Sequence, residues 1–433
     1  MSEAEKVPQR FLLSRRSLVA GATVALASQA LPAYAGGDSP LEALIQAQQT
    51  KEWQDKFDNG AGTPVDELKS DHPLLSPDTA SNIEAAIPRM QDIVNRGGWP
   101  KVPDKMRLKI GSRLDSVPVL RKRLTIAGDL PPQQYGYSEI FDSYVDAAVR
   151  RFQVRHGLNP NGVVDQVLFN IMNVSAETRL RQLETNLIRV RSMSGFLGDR
   201  FVFVNIPAAE LEAVEGGRVV ARHNAVVGKI DRQTPVLTSK IQEVTFYPYW
   251  NVPVSIIRKD LIPKMQTEPD YLAKEHIRIL DPKGHEIDPM TIDWNSDEAS
   301  KYWFRQDPGE INAMATIKIT FPNQYDVYMH DTPFKNLFGD NQRFHSSGCM
   351  RIQNVRDLVV WLLRDTPNWG PDQIDQVIAA GTHQDVKLKA SVPVYTNYIT
   401  AWATREGIIH FRDDIYGRDG IGELAQLANV MEE

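Results

Sequence analysis

The sequence predicts a multidomain α+β protein whose C-terminal domain is mostly β, and three observations support this prediction. The chain has 433 residues, enough for two or three domains of roughly 150 residues each. Apolar residues recur at helical spacing in the first half, whereas short alternating strands rich in Val, Tyr and Phe begin at Arg200. Residues 254–312 interrupt these strands with charged, proline and aromatic residues, so we expect an insertion that folds over them as a lid.

Composition and charge exclude one class of function. Hydrophobic residues make up 42% of the chain and charged residues 24%, which is usual for a soluble globular protein. The net charge is −6 at pH 7, so the sequence has no basic footprint for nucleic acid, and we expect no nucleic-acid partner.

Residues 1–35 predict a secretory signal peptide. The pair Arg15-Arg16 precedes an uncharged run, Leu18–Leu31, and Ala33-Tyr34-Ala35 places small residues where a signal peptidase cuts. The paired arginines favour export by the twin-arginine route, which predicts a periplasmic protein. A membrane anchor is the alternative, but the run is shorter than the ~20 residues that span a bilayer. We expect no stable membrane span after the signal is removed.

Residues 36–104 predict a helical scaffold. A weak apolar stripe runs over Pro40–Trp53, and a stronger one over Thr79–Asn95 ends at Gly97-Gly98. Residues 176–198 predict a connector helix that leads back to this scaffold, with its apolar face over Glu177–Arg191.

Residues 105–175 predict a small unit of three helices, Val117–Leu124, Tyr144–His156 and one that begins at Leu168. The run from Ala148 to Val164 contains Phe-Gln, His-Gly-Leu and Gly-Val-Val, and it resembles the peptidoglycan-binding domain of cell-wall enzymes. Asn161 stands where this domain usually has Asp, and Asp165 where it usually has Gly. The resemblance therefore implies the three-helix fold, while a helical spacer without glycan affinity remains an alternative.

Residues 199–433 predict the mostly-β domain. A helix over Val355–Leu363 follows Asn354, a good N-cap residue, and two short helices fall in the insertion. The predicted strands are Phe201–Ile206, Arg218–Val227, Thr238–Tyr247, Ala315–Thr320, Tyr325–His330, 386–400 and 408–411.

Cys349 is the only cysteine, so it cannot form an internal disulfide. An unpaired cysteine in an exported protein is a liability unless it is buried or chemically useful. The turn Ser346-Ser347-Gly348 before it supplies backbone N–H groups that could hold an oxyanion, and Gly348 permits close approach of a substrate. A thiol nucleophile at Cys349 is therefore plausible.

His330, 19 positions upstream (349 − 330) at the end of a predicted strand, is the candidate base. Its imidazole could take the proton of the thiol or hold the thiolate as an ion pair. Strand alternation points Tyr328 the same way as His330. Two alternatives remain: Cys349 as a small core residue, and a zinc site of His330, His345 and Cys349, which lacks the close ligand spacings of such sites. His345 either assists the site or is a loop histidine.

This region resembles the YkuD-type L,D-transpeptidase catalytic domain over about residues 200–433. The motifs that carry the resemblance are Tyr328–Pro333, Ser346–Ile352 and the tail Tyr395–Tyr416. The tail, the insertion and the wall-binding module look like the large YcbB-like subclass. Most of the wider family has His at the position of Ser347, whereas a serine there is usual in the large subclass. His330 is therefore the supported base.

The resemblance implies a ping-pong acyl transfer that forms 3→3 cross-links in peptidoglycan. Cys349 would be acylated by a tetrapeptide stem as donor, and the diaminopimelate amine of a second stem would resolve the thioester. His330 would be the general base, oriented by the backbone carbonyl of Asp331 or a neighbour, and Gly348 and Cys349 would form the oxyanion hole. Acylation by carbapenem inhibitors is also implied, and neither a metal nor an organic cofactor is.

Five further side chains are candidates for substrate binding. Arg351 is suited to a substrate carboxylate, although a structural ion pair is its alternative. Trp250 would wall the donor cleft or belong to the core. The full set is Tyr328, Ser346, Ser347, Arg351 and Trp250. Hydrolysis of the thioester, transfer to a protein lysine or a D-amino acid, and a wall-binding protein without catalysis are the alternative functions.

Overall fold

The computed structural model describes residues 71–103, 106–134, 136–193 and 197–422, all within one compact unit, Gln49–Glu433. The predicted signal peptide, residues 1–35, and the helix expected over Pro40–Trp53 lie outside these described residues. Within the described ranges, no helix has both the length and the apolarity needed to cross a bilayer.

Two long helices form the scaffold. Helix α1 (Thr79–Asn95) has the bounds that its apolar stripe predicts, and α5 (Ala176–Met193) begins where the connector was expected to begin and covers its predicted apolar face. Their apolar faces share one buried cluster, in which Met90 and Leu183 meet the ends of two sheet strands through Phe201 and Phe411. Burial of these stripes fixes the scaffold against the mostly-β domain.

The three-helix unit has a core of its own. It contains α2 (Ser116–Ala127), α3 (Ser143–Arg155) and α4 (Gln166–Met172), which enclose buried Leu120, Phe152 and Phe169 among others. The carboxylates of Asp142 and Asp165 accept backbone N–H groups of the first turns of α3 and α4 at 3.1 Å. These N-caps explain why both helices begin before the first residue that apolar periodicity marks.

The three-helix unit also contacts the loop that follows the strand of His330. The Asn159 side chain donates to the carbonyl of Gly339 at 2.7 Å, and its backbone N–H donates to the Asn341 side chain at 2.8 Å. The Arg412 guanidinium donates to the carbonyl of Arg155 at 3.0 Å. The three-helix unit is therefore fixed to the mostly-β domain by these hydrogen bonds as well as by its linker.

The mostly-β domain is built on a nine-stranded sheet. Its strands are β1 (Arg200–Asn205), β2 (Glu210–Glu215), β3 (Arg218–Gly228), β4 (Leu237–Phe246), β9 (Ile317–Thr320), β10 (Met329–His330), β11 (Phe344–Ser346), β12 (Met350–Ile352) and β13 (Gln384–Asn397). They pair in the order β11-β3-β12-β10-β9-β4-β13-β1-β2, and because β2 also pairs with β3, the order closes into a ring that leaves β11 outside it. A separate hairpin pairs β14 (Ala401–Ala403) with β15 (Ile409–Phe411).

Two helices fill the inner side of this sheet. Helix α9 (Val355–Leu363) buries Leu358, Val359 and Leu362 against the strands, and α10 (Pro371–Ala380) adds Ile374. The amphipathic pattern of α9 predicts this face. Asn354 is the N-cap residue of α9, as predicted, but it adopts a left-handed conformation (φ 48°) and its side chain makes no capping hydrogen bond.

The insertion folds around its own apolar cluster, which includes Ile257, Leu272 and Phe304. The elements are β5 (Trp250–Asn251), α6 (Val254–Ile256), a π-helical turn (Ile257–Leu261), α7 (Ile262–Thr267), α8 (Tyr271–Lys274), β6 (Ile277–Leu280), β7 (Glu286–Ile287) and β8 (Trp303–Gln306). The four strands form a sheet in the order β5-β8-β6-β7, and none of them was predicted from the sequence. Short 3₁₀ helices cover Pro289–Thr291, Glu298–Lys301 and, outside the insertion, Lys335–Gly339.

The strand predicted over Tyr325–His330 is mostly wrong. Only Met329–His330 pairs as β10, because the Asn323 side chain accepts the backbone N–H groups of Tyr325 and Val327 and holds the chain in a turn. Asp326, at a φ of 53°, continues that turn. The paired part of this strand therefore begins only at Met329, one residue before His330.

Candidate active site

Two short parallel strands bring the predicted nucleophile and base together. In the register of β10 and β12, Met329 lies beside Met350 and His330 beside Arg351. The backbone N–H of Met350 donates to the carbonyl of Tyr328 at 3.0 Å. Continued by one residue, this register sets Cys349 beside Tyr328, on neighbouring chains about 4.8 Å apart.

Strand alternation puts the reactive side chains on the face opposite the two buried methionines, with Cys349 also packing against the edge of the core cluster. Met329 and Met350 are fully buried in the sheet core. Because successive side chains point to opposite faces, Tyr328, His330, Cys349 and Arg351 share the other face. The rings of Tyr328 and His330 meet edge to face, with centroids 5.6 Å apart, as their alternation predicts.

The turn before Cys349 is held by its own side chains. The buried Ser346 hydroxyl donates to the carbonyl of Cys349 at 2.6 Å and accepts the N–H of Gly348 at 3.2 Å. Gly348 has a φ of 114°, where a side chain would be strained. The contacts of Ser346 therefore shape the turn, and they occupy the hydroxyl that the sequence analysis assigned to substrate.

The oxyanion hole expected from Gly348 and Cys349 is only partly open in this arrangement. The Cys349 N–H has no acceptor among the described residues, whereas the Gly348 N–H is engaged by Ser346. The Cys349 N–H is therefore the donor that a developing oxyanion can use directly.

A buried network behind the turn connects it to the C-terminal tail. The Thr234 hydroxyl donates to the carbonyl of Gly348 at 2.9 Å and accepts the N–H of Gly228 at 2.9 Å. The Tyr416 hydroxyl donates to the carbonyl of Gly228 at 2.5 Å and accepts the N–H of Thr234 at 3.2 Å. The tail residues of the sequence motif thus support the turn, and Thr234, which no motif marked, completes the network.

His330 is a buried, neutral imidazole. Its Nδ1 lies 2.5 Å from the carbonyl oxygen of Asp331, and since a carbonyl only accepts, Nδ1 carries the proton and Nε2 is left as acceptor. Burial, followed by the positive charge of Arg351, lowers the pKa of His330 to about 3. The Asp331 carboxylate itself accepts from the Thr316 hydroxyl at 2.7 Å and pairs with Lys335, so it orients the loop and not the ring.

Cys349 is a protonated thiol at rest. Burial raises its pKa, while hydrogen bonds from the backbone and hydroxyl of Tyr328 and the charges of Lys318 and Arg351 act in the opposite direction. With the thiol pKa raised and that of His330 lowered, the neutral pair is favoured over an ion pair. Of the two roles that the sequence left open for the imidazole, the site favours general base.

Lys318 is a site residue that the sequence analysis missed. It lies directly opposite His330 in the antiparallel pairing of β9 with β10. Its ammonium is 4.4 Å from the centre of the Tyr328 ring, and burial lowers its pKa. A lysine between the core residues Ile317 and Ile319 was the signal, because alternation puts it on the face opposite the core.

Replacing Lys318 with methionine is expected to slow alkylation of Cys349 by iodoacetamide roughly three- to tenfold at pH 8, because the loss of a nearby cation raises the thiol pKa and one pKa unit is a factor of ten. The pH dependence of alkylation should move to higher pH. Lys318→Arg keeps the charge and is the matched control. An unchanged pH profile for Lys318→Met would show that this lysine has no influence on the thiol.

Trp250 and Arg351 border the same face. The Trp250 indole hydrogen-bonds to the Tyr328 hydroxyl, and the rest of the side chain packs on the insertion core, so both predicted roles apply in part. Arg351 has no carboxylate partner within the described residues, and its guanidinium lies 6.0 Å from the exposed ring of Phe334. The structural ion pair considered for Arg351 is therefore not found there.

His345 lies apart from this group. It is exposed, with Nε2 2.8 Å from the carbonyl of Gln342 and 3.5 Å from the Asp340 carboxylate. The described ranges contain no group of three His, Cys, Asp or Glu side chains that could hold a metal ion. His345 therefore fits the loop-histidine alternative better than a role beside Cys349.

Ser347 links the turn to the insertion. Its exposed hydroxyl accepts from Arg232 at 2.9 Å. The same guanidinium forms a bidentate ion pair with Asp260 of the π-helical turn, at 2.5 and 2.9 Å. The insertion is thus connected to the nucleophile turn through one arginine, which no sequence motif indicated.

Family comparisons identify the domains. Residues 199–375 match the YkuD family, described as the L,D-transpeptidase catalytic domain, and residues 113–172 match the family described as "Putative peptidoglycan binding domain". The chain therefore contains an L,D-transpeptidase catalytic domain, which belongs to an acyltransferase family, and a helical domain of the peptidoglycan-binding type. These matches confirm the predicted fold class.

Individual relatives agree with this assignment. A Haemophilus influenzae protein named "Putative L,D-transpeptidase" is 34% identical over 255 residues, which cover 58% of this chain and 51% of that protein. The chain thus spans about half the length of the curated relative it matches.

Solved structures of L,D-transpeptidases are distant. One from Mycobacterium smegmatis is 13% identical with a TM-score of 0.22, covering 46% of this chain and 58% of that one. L,D-transpeptidase 3 from Mycobacterium tuberculosis, in complex with a faropenem-derived adduct, is 11% identical with a TM-score of 0.23, covering 46% and 60%. With TM-scores this low, the domain assignment rests on the sequence matches.

Proposed function

We propose that this protein is a peptidoglycan L,D-transpeptidase that forms 3→3 cross-links through a thioester on Cys349. The observation that carries the proposal is the shared face of Cys349, Tyr328 and His330, with the Nδ1 proton of His330 fixed by Asp331. This arrangement leaves Nε2 to accept the thiol proton.

In the first half-reaction, Nε2 of His330 takes the proton of Cys349 as the sulfur attacks the carbonyl between the L-centre of meso-diaminopimelate and the terminal D-Ala. The Cys349 N–H donates to the oxyanion. The C–N bond then breaks, His330 returns the proton to the departing amine, and D-Ala leaves. The enzyme is left as a thioester.

In the second half-reaction, the side-chain amine of another stem attacks the thioester carbonyl. His330 accepts a proton from that amine, the C–S bond breaks, and the proton passes to the sulfur. Arg351, whose charge has no carboxylate partner among the described residues, is the proposed contact for a carboxylate of the donor stem. Tyr328 and Trp250 are proposed to wall the donor site.

Three further properties belong to the same proposal. Export to the periplasm by the twin-arginine route follows from residues 1–35. The domain over residues 113–172 is proposed to hold the enzyme on peptidoglycan. Carbapenems are proposed to acylate Cys349, because their strained carbonyl presents the same electrophile as the stem peptide.

The product distribution tests the proposal. The purified protein, incubated with tetrapeptide-stem muropeptides, is expected to give a dimer with a 3→3 bond and free D-Ala, both identified by mass spectrometry. Tripeptide without dimer would reject cross-linking in favour of hydrolysis, and adducts with lysine or D-amino acids would indicate another acceptor. No turnover and no carbapenem adduct would leave a wall-binding protein.

A further inference from the structure

A cleft borders the nucleophile turn, Ser346–Gly348, on its Ser347–Gly348 side. It has a volume of about 560 Å³, and Ser347 and Gly348 form part of its wall. Neither Cys349, Tyr328, His330 nor Arg351 lines it. The cleft is therefore distinct from the face that carries the base, although it ends one residue from the sulfur.

The lining of this cleft is cationic. It contains Arg232, Lys259 and Arg418 and no acidic side chain, in a protein whose net charge is −6. Arg232 is neutralised by Asp260, with Asp231 3.5 Å away. Lys259 and Arg418 have no carboxylate at ion-pair distance among the described residues, and Arg418 donates to the neutral side chain of Gln233 at 2.6 Å. Two positive charges therefore remain for an anionic ligand.

One wall of the cleft belongs to the insertion. Ser255 and Lys259 contribute to it from α6 and the π-helical turn. The ion pair between Arg232 and Asp260, together with the hydrogen bond from Arg232 to Ser347, holds this wall at a fixed distance from the turn. Lys259 is thus positioned by the ion pair of Asp260, the next residue in the chain, with Arg232.

In the proposed transfer the donor acyl group stays on the sulfur as a thioester, so the acceptor peptide needs a binding site that the donor does not occupy. The proposed donor contact, Arg351, lies on the face of His330. The cleft supplies a second, separate group of cations on the other side of the turn. The two groups of cations therefore match the two stem peptides, one group for the donor and one for the acceptor.

We propose that this cleft binds the acceptor stem peptide, with Lys259 and Arg418 contacting its carboxylates. The inference rests on the proposed function and specifies its second substrate. The bound acceptor presents its side-chain amine to the thioester carbonyl, where the new C–N bond forms as the C–S bond breaks. Its proton passes to His330 and then to the sulfur.

Separate donor and acceptor peptides test this. The donor is a tetrapeptide stem whose side-chain amine is acetylated, so that it cannot accept. The acceptor is a tripeptide stem, which has no terminal D-Ala to lose, offered with free or amidated carboxylates. The double variant Lys259→Gln/Arg418→Gln is compared with wild type and with Lys283→Gln, an exposed lysine of the insertion outside the cleft.

We expect the double variant to raise the acceptor KM at least tenfold, while the rate at which the donor alone releases the first equivalent of D-Ala, measured in a single turnover without acceptor, changes less than twofold. Amidation of the acceptor should raise KM similarly in wild type and have little further effect in the double variant. Lys283→Gln should behave as wild type. The unchanged donor step and an unchanged Tm show that the variant is folded.

Two results would overturn the inference. An acceptor KM within twofold of wild type would show that the cleft does not bind this substrate. An equal loss in single-turnover D-Ala release without acceptor and in transfer would assign the cleft to the donor or to the fold. A wild-type enzyme that releases D-Ala but forms no dimer would instead refute the proposed function, and the two failures are therefore distinguishable.

Discussion

Cys349→Ala is expected to abolish both D-Ala release and cross-link formation, a loss of at least about 10⁴-fold, because no other group can carry the acyl intermediate. Cys349 is the only cysteine in the chain, so no neighbouring thiol can substitute. The fold should persist, since the side chain is half-buried and its turn is held by Ser346 and Thr234. Activity and thermal unfolding measured on the same preparation check both expectations.

The single thiol also gives a direct readout of the acyl-enzyme. Wild type incubated with a carbapenem should gain one adduct in the intact mass, and Cys349→Ala should gain none. Cys349→Ser is the matched control: it keeps a nucleophilic atom, but a hydroxyl is far less acidic than a thiol, and the imidazole cannot activate it comparably. A Cys349→Ala protein that still cross-links would refute the assignment of the nucleophile.

The scaffold helix α1 and the helix α9 could be predicted closely because their signal is local, whereas α10 was missed. An apolar stripe repeats within one helix, so α1 and α9 follow from their own residues. β2 was missed for a related reason. Glu212 lies in the middle of that strand and reads as solvent-facing, but it is buried beside Arg222, and burial raises its pKa to about 7. Because Arg222, the partner that allows Glu212 to be buried, is ten residues away in the sequence, the apolar pattern of β2 alone does not predict this strand.

The strands of the insertion could not be predicted from sequence. β5 and β7 each have two residues, too few for alternation to be visible. The pairing partner of β5 is also distant, because Trp250 pairs with Gln306 across the whole insertion. Only the assembled sheet shows that Trp250 belongs to the insertion as well as to the site.

The residues of the candidate site also fall into two groups, those that a local motif marks and those that only the assembled fold brings in. Cys349, His330 and their neighbours lie in contiguous motifs, so the sequence could mark them. Lys318, Thr234 and Arg232 come from β9 and from the loop between β3 and β4, and nothing in their local sequence connects them to a cysteine more than thirty residues away. Their relevance follows from register and hydrogen bonds, which depend on how the ring of strands closes.

His330→Gln is expected to lower kcat/KM for D-Ala release at pH 7 by about 10²- to 10⁴-fold, the usual contribution of a general base. Glutamine can still donate to the carbonyl of Asp331 but cannot take the thiol proton. Alkylation of Cys349 by iodoacetamide above its thiol pKa should be nearly unchanged, because hydroxide then supplies the base. A loss of less than tenfold in kcat/KM would show that another group deprotonates the thiol.

The pH profiles give a finer test of the same residue. In the free enzyme the pKa of His330 is about 3, so the imidazole stays neutral as pH falls from 7 and kcat/KM should show no acid limb until about that pH. Arg351 contributes to this lowering, and a substrate carboxylate bound there would cancel its charge. The pKa of His330 should then rise in the complex, making it a stronger base when the substrate is present. We therefore expect the acid limb of kcat to lie at higher pH than the acid limb of kcat/KM. The variant Arg351→Gln should bring the two limbs together. Coincident limbs in the wild-type enzyme would show that Arg351 does not couple substrate binding to the pKa of His330.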